Sequence, residues 1–213
     1  MEGMQLMPLF PLELIVFPGQ KLNLHIFESR YRQLIGDSHK EGFTFGIPFY
    51  KENSPLRIGT EVRLVKIAMT YPDGRMDIVT EGVRPIEINR FLKKHPQKQY
   101  PGGYITPLYW DNDGYPERYA VLKERILELY KFMNINDVPK VFSDFFTTFQ
   151  IAEKVGFNIN QELEFLQIPG EVDRQEYMLN HLNQMIPKIK EMEEMRKKIQ
   201  MNGHFRNIIP PKV

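Results

Sequence analysis

The twelve residues from Leu24 to Ile35, LHIFESRYRQLI, hold one histidine, one glutamate, two arginines, a tyrosine and a phenylalanine. An imidazole beside a carboxylate suits proton transfer, and paired guanidiniums suit anion binding. The same residues also suit the corner where a strand becomes a helix. Charges at a helix start ordinarily serve caps and ion pairs, which favours the corner. On that reading Glu28 or Ser29 starts the helix, Leu24 and Ile26 point into a core, and Glu28 and Arg32 stand at the spacing of an i,i+4 pair.

No other stretch assembles a catalytic set. The string G-x-x-x-x-G-K-[ST], needed to cradle phosphates beside a lysine, is absent, and Gly19-Gln20-Lys21 is only an echo of it. There is no G-x-S-x-G elbow, and the serines are four: Ser29, Ser38, Ser54 and Ser143. Ser38 and His39 would sit about 100° apart on a helix and cannot pair as nucleophile and base. The five histidines are scattered without metal-ligand spacing, and the absence of cysteine removes thiolate ligands, thiol nucleophiles and disulfides. No enzyme activity, cofactor or metal is expected.

One basic segment, Arg84 to Lys98, interleaves cations with aromatics: Arg84, Arg90, Lys93, Lys94, His95 and Lys98 lie near Phe91, Tyr100 and Tyr104. Such a pattern can hold single-stranded nucleic acid by phosphate contact and base stacking, with Arg90, Lys93, Lys94 and Lys98 as its candidate residues. The whole chain carries a net charge of only +1, whereas a nucleic-acid footprint normally shows as a basic excess over a domain. A solvated loop is the favoured reading, and RNA binding stands as the alternative.

The elements that position these residues change character near Gly114. Before it, short apolar runs alternate with period two between turn residues: Leu22 to Phe27, Val62 to Met69, Met76 to Val79, Ile86 to Ile88 and Tyr104 to Trp110. Tyr71-Pro72-Asp73-Gly74 reads as a hairpin turn, and one helix, Ser29 to Lys40, interrupts the strands. Many short strands at close spacing imply a small barrel or a strongly bent sheet. After Gly114 the period is helical. Pro116 opens a helix carrying Tyr119, Leu122, Ile126, Leu129 and Met133, and a second helix spans Ser143 to Val155 with Gly156 as its cap. A short third follows Asn160, and the last spans Glu171 to Met201. The expected division is therefore a β domain over 1–112, a helical bundle over 113–203 and a tail over 204–213.

The last helix carries a seam of Met178, Leu182, Met185, Ile189, Met192 and Ile199, broken by Arg196. Beyond Pro187 its turns outrun a small bundle. Methionine is unbranched and polarizable, so an exposed stripe of Ile189, Met192, Met195 and Ile199 suits the docking of client polypeptide or self-association with a second copy of the chain. No run of 18 apolar residues is present, so no membrane span is expected, and a cysteine-free chain without a basic leader suits the cytoplasm.

The run PLFPLELIVFPGQKLNLHIFESRYRQLI, from Pro8 to Ile35, resembles the opening of the N-terminal domain of Lon proteases. The likeness rests on Pro8 to Leu12, Val16 to Gly19, Leu24 to Glu28 and Arg30-Tyr31-Arg32. Phe45-Gly46-Ile47, Ile58-Gly59-Thr60, Asp73-Gly74-Arg75, Gly82 to Ile88 and Phe149 to Ala152 follow in the family's order. Asn23 and Ser29 stand where the family commonly has proline, and both tolerate an extended or helix-starting backbone. The resemblance implies an α+β fold: a PUA-like β pseudo-barrel followed by a helical bundle with a long last helix. It also implies a stand-alone substrate-recognition domain, without the ATPase and Ser-Lys protease domains that follow it in Lon. The implied partners are unfolded or client polypeptides and a separate protease or ATPase, in an adaptor role in protein quality control.

Overall fold

In a computed structural model, residues 4–51, 54–135 and 146–203 are described. The tail 204–213 and the first residues of the expected second helix, 143–145, lie outside them. The fold is α+β, with an antiparallel sheet followed in the chain by helices. Its spine is one long hairpin, β4 (Ser54–Thr70) and β5 (Met76–Leu92), each of 17 residues. The Tyr71–Arg75 turn closes it: the Tyr71 amide donates to the Arg75 carbonyl at 2.8 Å, and Gly74 supplies a φ of +82°.

Both strands outlast the sequence expectation because β5 serves two partners along one edge. Its first part pairs with β2 (Lys21–Ile26) and its last with β6 (Gly102–Pro107). Three register shifts along β4 bend the ribbon strongly enough to wrap a core. β3 (Phe45–Lys51) lies on the far side of β4, and helix α1 (Ser29–Glu41) connects β2 to β3. As expected, Tyr31, Leu34, Ile35 and Ser38 are its buried stripe.

The sheet closes at its N-terminal segment. β1 (Gln5–Pro8) pairs with β6, and at Leu9 the chain changes partner. The Leu9 amide donates to Pro101, while Phe10 and Leu12 donate to the carbonyls of Gly46 and Pro48 beside β3. Proline at 8 and 11 removes donors, so neither position can extend a regular ladder. Leu9 is fully buried at this crossing. Two glycines make room for it: a methyl group on Gly46 would stand 2.6 Å from one Leu9 methyl, and one on Gly103 would stand 2.7 Å from the other. The result is a sheet closed into a pseudo-barrel, filled by Val16, Ile26, Phe45, Ile47, Val62 and Ile78.

Two compact units divide the chain: Met1–Asp113 with Thr147–Arg174, and Gly114–Phe146 with Gln175–Val213. Thr147–Arg174, read from sequence as part of the helical half, packs through aromatic rings on Phe17 and Trp110, in the segments before β2 and after β6. Phe149 and Phe165 lie 5.7 Å apart, each 5.8 Å from Phe17, and Trp110 meets Phe149 edge-on. Within this insert the helix expected over Ser143 to Val155 is shorter. Phe146 and Thr147 are outside any helix, Thr147 being an extended N-cap, α3 covers Thr148–Ile151, and a single 3₁₀ turn, Ala152–Lys154, follows. α4 (Ile159–Leu166) begins at Asn158, whose side chain accepts from the amides of Asn160 and Gln161.

A buried ion pair fixes the end of this unit. Arg174 and Glu171 have fully buried side chains and meet at 2.7 Å at the start of α5 (Glu171–Gly203). Arg174 also donates to the carbonyls of Ile168, Pro169 and Asp111, and its guanidinium lies 4.1 Å over the Phe149 ring. Glu171 accepts from both the amide and the hydroxyl of Thr148 at 2.8 Å. In the second unit, α2 (Pro116–Phe132) buries Leu122, Ile126, Leu129 and Tyr130. Met133, expected to extend that stripe, is exposed because the helix has ended. On α5 the buried apolar positions are Met178, Leu182 and Ile186; the last replaces Met185 because an α-helix keeps a 3.6-residue period rather than 3.5. Among the described residues no helix is long and apolar enough to cross a membrane.

Two consequences are measurable. Arg174→Met strands a carboxylate in the core and is expected to lower the unfolding free energy by about 3–5 kcal/mol in urea titration. A loss near zero would show the pair to be dispensable. Asp111 is held below the usual carboxylate range, chiefly because the Glu171 amide donates to it, with the Asp113 amide and Arg174 adding and burial opposing. A depressed folded-state value contributes stability that is present above the unfolded pKa of about 3.9 and is lost as pH falls through the folded value. The stability gap between the native chain and Asp111→Asn should therefore be constant near neutrality and narrow below about pH 4.

Candidate functional site

The LHIFESRYR stretch turns the expected corner, and it also lines a groove of about 780 Å3 in the first unit. β2 supplies one wall through Leu24, His25 and Ile26, and Phe27 and Glu28 carry the wall to the first turn of α1, which adds Arg30 and Tyr31. Facing them are Phe10, Pro11 and Leu12 from the closing segment, with Tyr50 and Pro55 from the β3–β4 hairpin. Phe91, Lys93 and Pro101, from the end of β5 and the approach to β6, complete the lining. The segment that closes the sheet is thus also a side of the groove.

Its chemistry is mainly apolar. Phe10 and Tyr31 stack with ring centroids 4.0 Å apart, which holds the floor rigid, and burial pushes the Tyr31 hydroxyl upward in pKa. Phe27 is different: 64 % of its surface is exposed, at a position where a β-strand ends and no core needs it. The ionic groups largely satisfy one another. Arg30 bonds Glu28 at 2.7 Å and lies 4.6 Å over the Tyr31 ring. The expected Glu28–Arg32 pair is not formed. Glu28 is the N-cap residue outside the helix, so its side chain reaches Arg30, while Arg32 donates to the Asp73 carbonyl and clamps the β4–β5 turn.

His25 meets Asp77 through Nδ1 at 2.6 Å, and the Tyr71 hydroxyl donates to the other Asp77 oxygen at 2.6 Å. The Tyr71 bond first, and the His25 bond second, hold the Asp77 carboxyl below its ordinary range. A histidine oriented by a carboxylate can act as a base, but the groove lining contains no serine, threonine or cysteine for it to activate. Lys93 has no acidic partner among the described residues and leaves the groove one uncompensated cation.

The basic segment does not converge as one patch. Lys98 bonds Asp37 at 2.8 Å, and Arg84 bonds the buried carboxylate of Glu61 at 2.6 Å. Arg90 and Lys94 remain exposed, and Lys93 turns to the groove. Of the α5 stripe, Ile189 is half-buried, and Met192, Met195 and Ile199 are exposed. Among the described residues no group of acids and histidines is placed to hold a metal ion. The groove residues missed in the sequence, Tyr50, Phe91 and Leu12, come together only through barrel closure. Phe27 carried a local signal, as an aromatic following three inward alternations.

The first unit is thus a bent antiparallel sheet closed on itself, with a mainly apolar groove beside its closing segment. The chain belongs to the family of ATP-dependent protease La (LON) substrate-binding domains, whose sequence model matches residues 6–205. It is similar in structure to a Lon N-terminal domain protein from Xanthomonas campestris, with 26 % identity and a TM-score of 0.63 over 83 % of this chain and 98 % of that one. It shares the fold of the N-terminal domain of a Mycobacterium avium complex Lon protease, with 13 % identity and a TM-score of 0.61 over 84 % of this chain and 98 % of that one. No curated protein matches.

If Phe27 serves recognition and Tyr31 serves the fold, substitution separates them. Phe27→Ser should change stability by less than about 0.5 kcal/mol. Tyr31→Ala should cost about 3 kcal/mol or more. Equal losses in urea titration would place Phe27 in the structural core.

Proposed function

We propose that the chain is a non-enzymatic module that recognises client polypeptides, an adaptor in protein quality control that presents them to a separate ATPase or protease. The observation that carries this reading is the groove: aromatic and aliphatic walls, an exposed phenylalanine at its rim and no serine, threonine or cysteine in its lining. Unfolded chains differ from folded ones chiefly in exposing apolar side chains, and a concave apolar site discriminates on that difference. Family membership in a substrate-binding domain supports the same direction. A cysteine-free composition suits a reducing cytoplasm as the place of action.

A second surface enters the proposal. Met192, Met195 and Ile199, 57–69 % exposed, with Ile189 beside them, form an apolar stripe that suits a client segment or another copy of the chain. The RNA reading loses strength from the pairing of Arg84 and Lys98 with acids and rests on Arg90, Lys93 and Lys94.

Fluorescence anisotropy against a permanently unfolded, carboxymethylated protein tests these surfaces together. Phe27→Glu should weaken binding by about ten-fold or more at an unchanged melting temperature, as for a central contact. Met192→Lys with Ile199→Lys should weaken it separately if the stripe contributes. Unfolded protein that fails to bind, alongside tight RNA binding persisting at physiological salt, would reverse the order of the two readings.

A further inference from the structure

Resting on the polypeptide reading of the groove, we infer that the free edge of β2 takes an extended client segment as an added β-strand, with apolar side chains in the groove and a client carboxylate on Lys93. β2 pairs with β5 along its whole length, Lys21 opposite Glu81 through Ile26 opposite Met76. On its other side no strand of the described residues pairs with it. Beyond the β5 ladder, the Thr80 hydroxyl, which donates to the Leu22 carbonyl at 3.2 Å, makes the one further hydrogen bond to the backbone of Lys21–Ile26 among the described residues. An exposed strand edge presents a row of unmet N–H and C=O groups, a template for another extended chain.

The edge is also held in place. Leu22 and Leu24 pack on the barrel core and Ile26 is buried in it, so the strand is fixed while its outer backbone stays open. Leu24 to Phe27 belong at once to this strand end and to the groove wall. A chain laid along the edge sends alternate side chains to one face, and over β2's last residues that face is the groove. Six strand residues span about 20 Å, so the matching client segment is about six residues long.

The charges select among such segments. Glu28 is committed to Arg30 and Asp77 to His25 and Tyr71, so neither acid offers a free site for a client cation. Lys93 is uncommitted, which favours an apolar segment that carries an aspartate, a glutamate or its own terminal carboxylate.

The test uses the full chain and a synthetic peptide of about ten residues, alternating valine and phenylalanine with polar residues and ending in aspartate. On binding, amide exchange across Lys21–Ile26 should slow. Methylating alternate peptide amides in one of the two possible registers should weaken affinity by about ten-fold or more, and in the other should leave it unchanged. Lys93→Ala should weaken the aspartate peptide about two- to five-fold and leave its asparagine counterpart unchanged. Binding with unchanged exchange in Lys21–Ile26, and with both methylated peptides as strong as the parent, overturns strand addition while leaving the groove reading intact. A chain that binds neither the peptide nor the unfolded protein overturns the groove reading itself.

Discussion

Everything in the β-rich unit follows from what the backbone does at Leu9. Up to Pro8 the N-terminal segment is an ordinary edge partner of β6, and from Leu9 its hydrogen bonds run to Pro101 and then to Gly46 and Pro48. That exchange joins the two ends of an otherwise open sheet. It demands a side chain that fills the crossing and two neighbours without side chains, which Leu9, Gly46 and Gly103 provide. Because the closing segment continues through Phe10, Pro11 and Leu12, closure and groove formation are one structural event. A barrel sealed elsewhere would have the same core and no such concavity.

Closure also explains why β2 stays at the margin. β5 is long enough to pair with β2 and β6 in succession along the same edge, and the second of these continues to β1. β2 therefore sits off the closed path, with β5 as its strand partner among the described residues and Leu24 to Ile26 in the groove wall. The Arg32 clamp on the Asp73 carbonyl ties α1 to the turn of the β4–β5 hairpin, which braces the wall that α1 gives to the groove.

Local periodicity made most of this legible in the sequence. Alternation in Leu22 to Phe27, the Asp73-Gly74 turn, and the stripe Tyr31, Leu34, Ile35 and Ser38 each encode their own element, and each is present. The specific run from Pro8 to Arg32 carried the family resemblance. What local pattern does not encode is partnership at a distance. Lys98 reads as a free cation until Asp37, 61 residues away, is brought beside it. The helices of 147–170 read as part of a bundle because nothing near them in sequence reveals Phe17 as their packing partner. The Glu28–Arg32 spacing was correct for a helix, yet Glu28 lies one residue outside it, and a cap residue's side chain does not follow helical geometry.

The Arg174 cluster has a further meaning for how far such sequences can drift apart. Three of its acceptors are the carbonyls of Asp111, Ile168 and Pro169, which any amino acid at those positions presents equally well. A joint held by main-chain oxygens places its demands on a few side chains and frees its neighbours to mutate. The same holds at Leu9, where the bonds that close the sheet are all between backbone groups. Anchors of this type let substitutions accumulate across most of a chain while the path of the backbone persists, and solved chains 13 % and 26 % identical to this one share its fold.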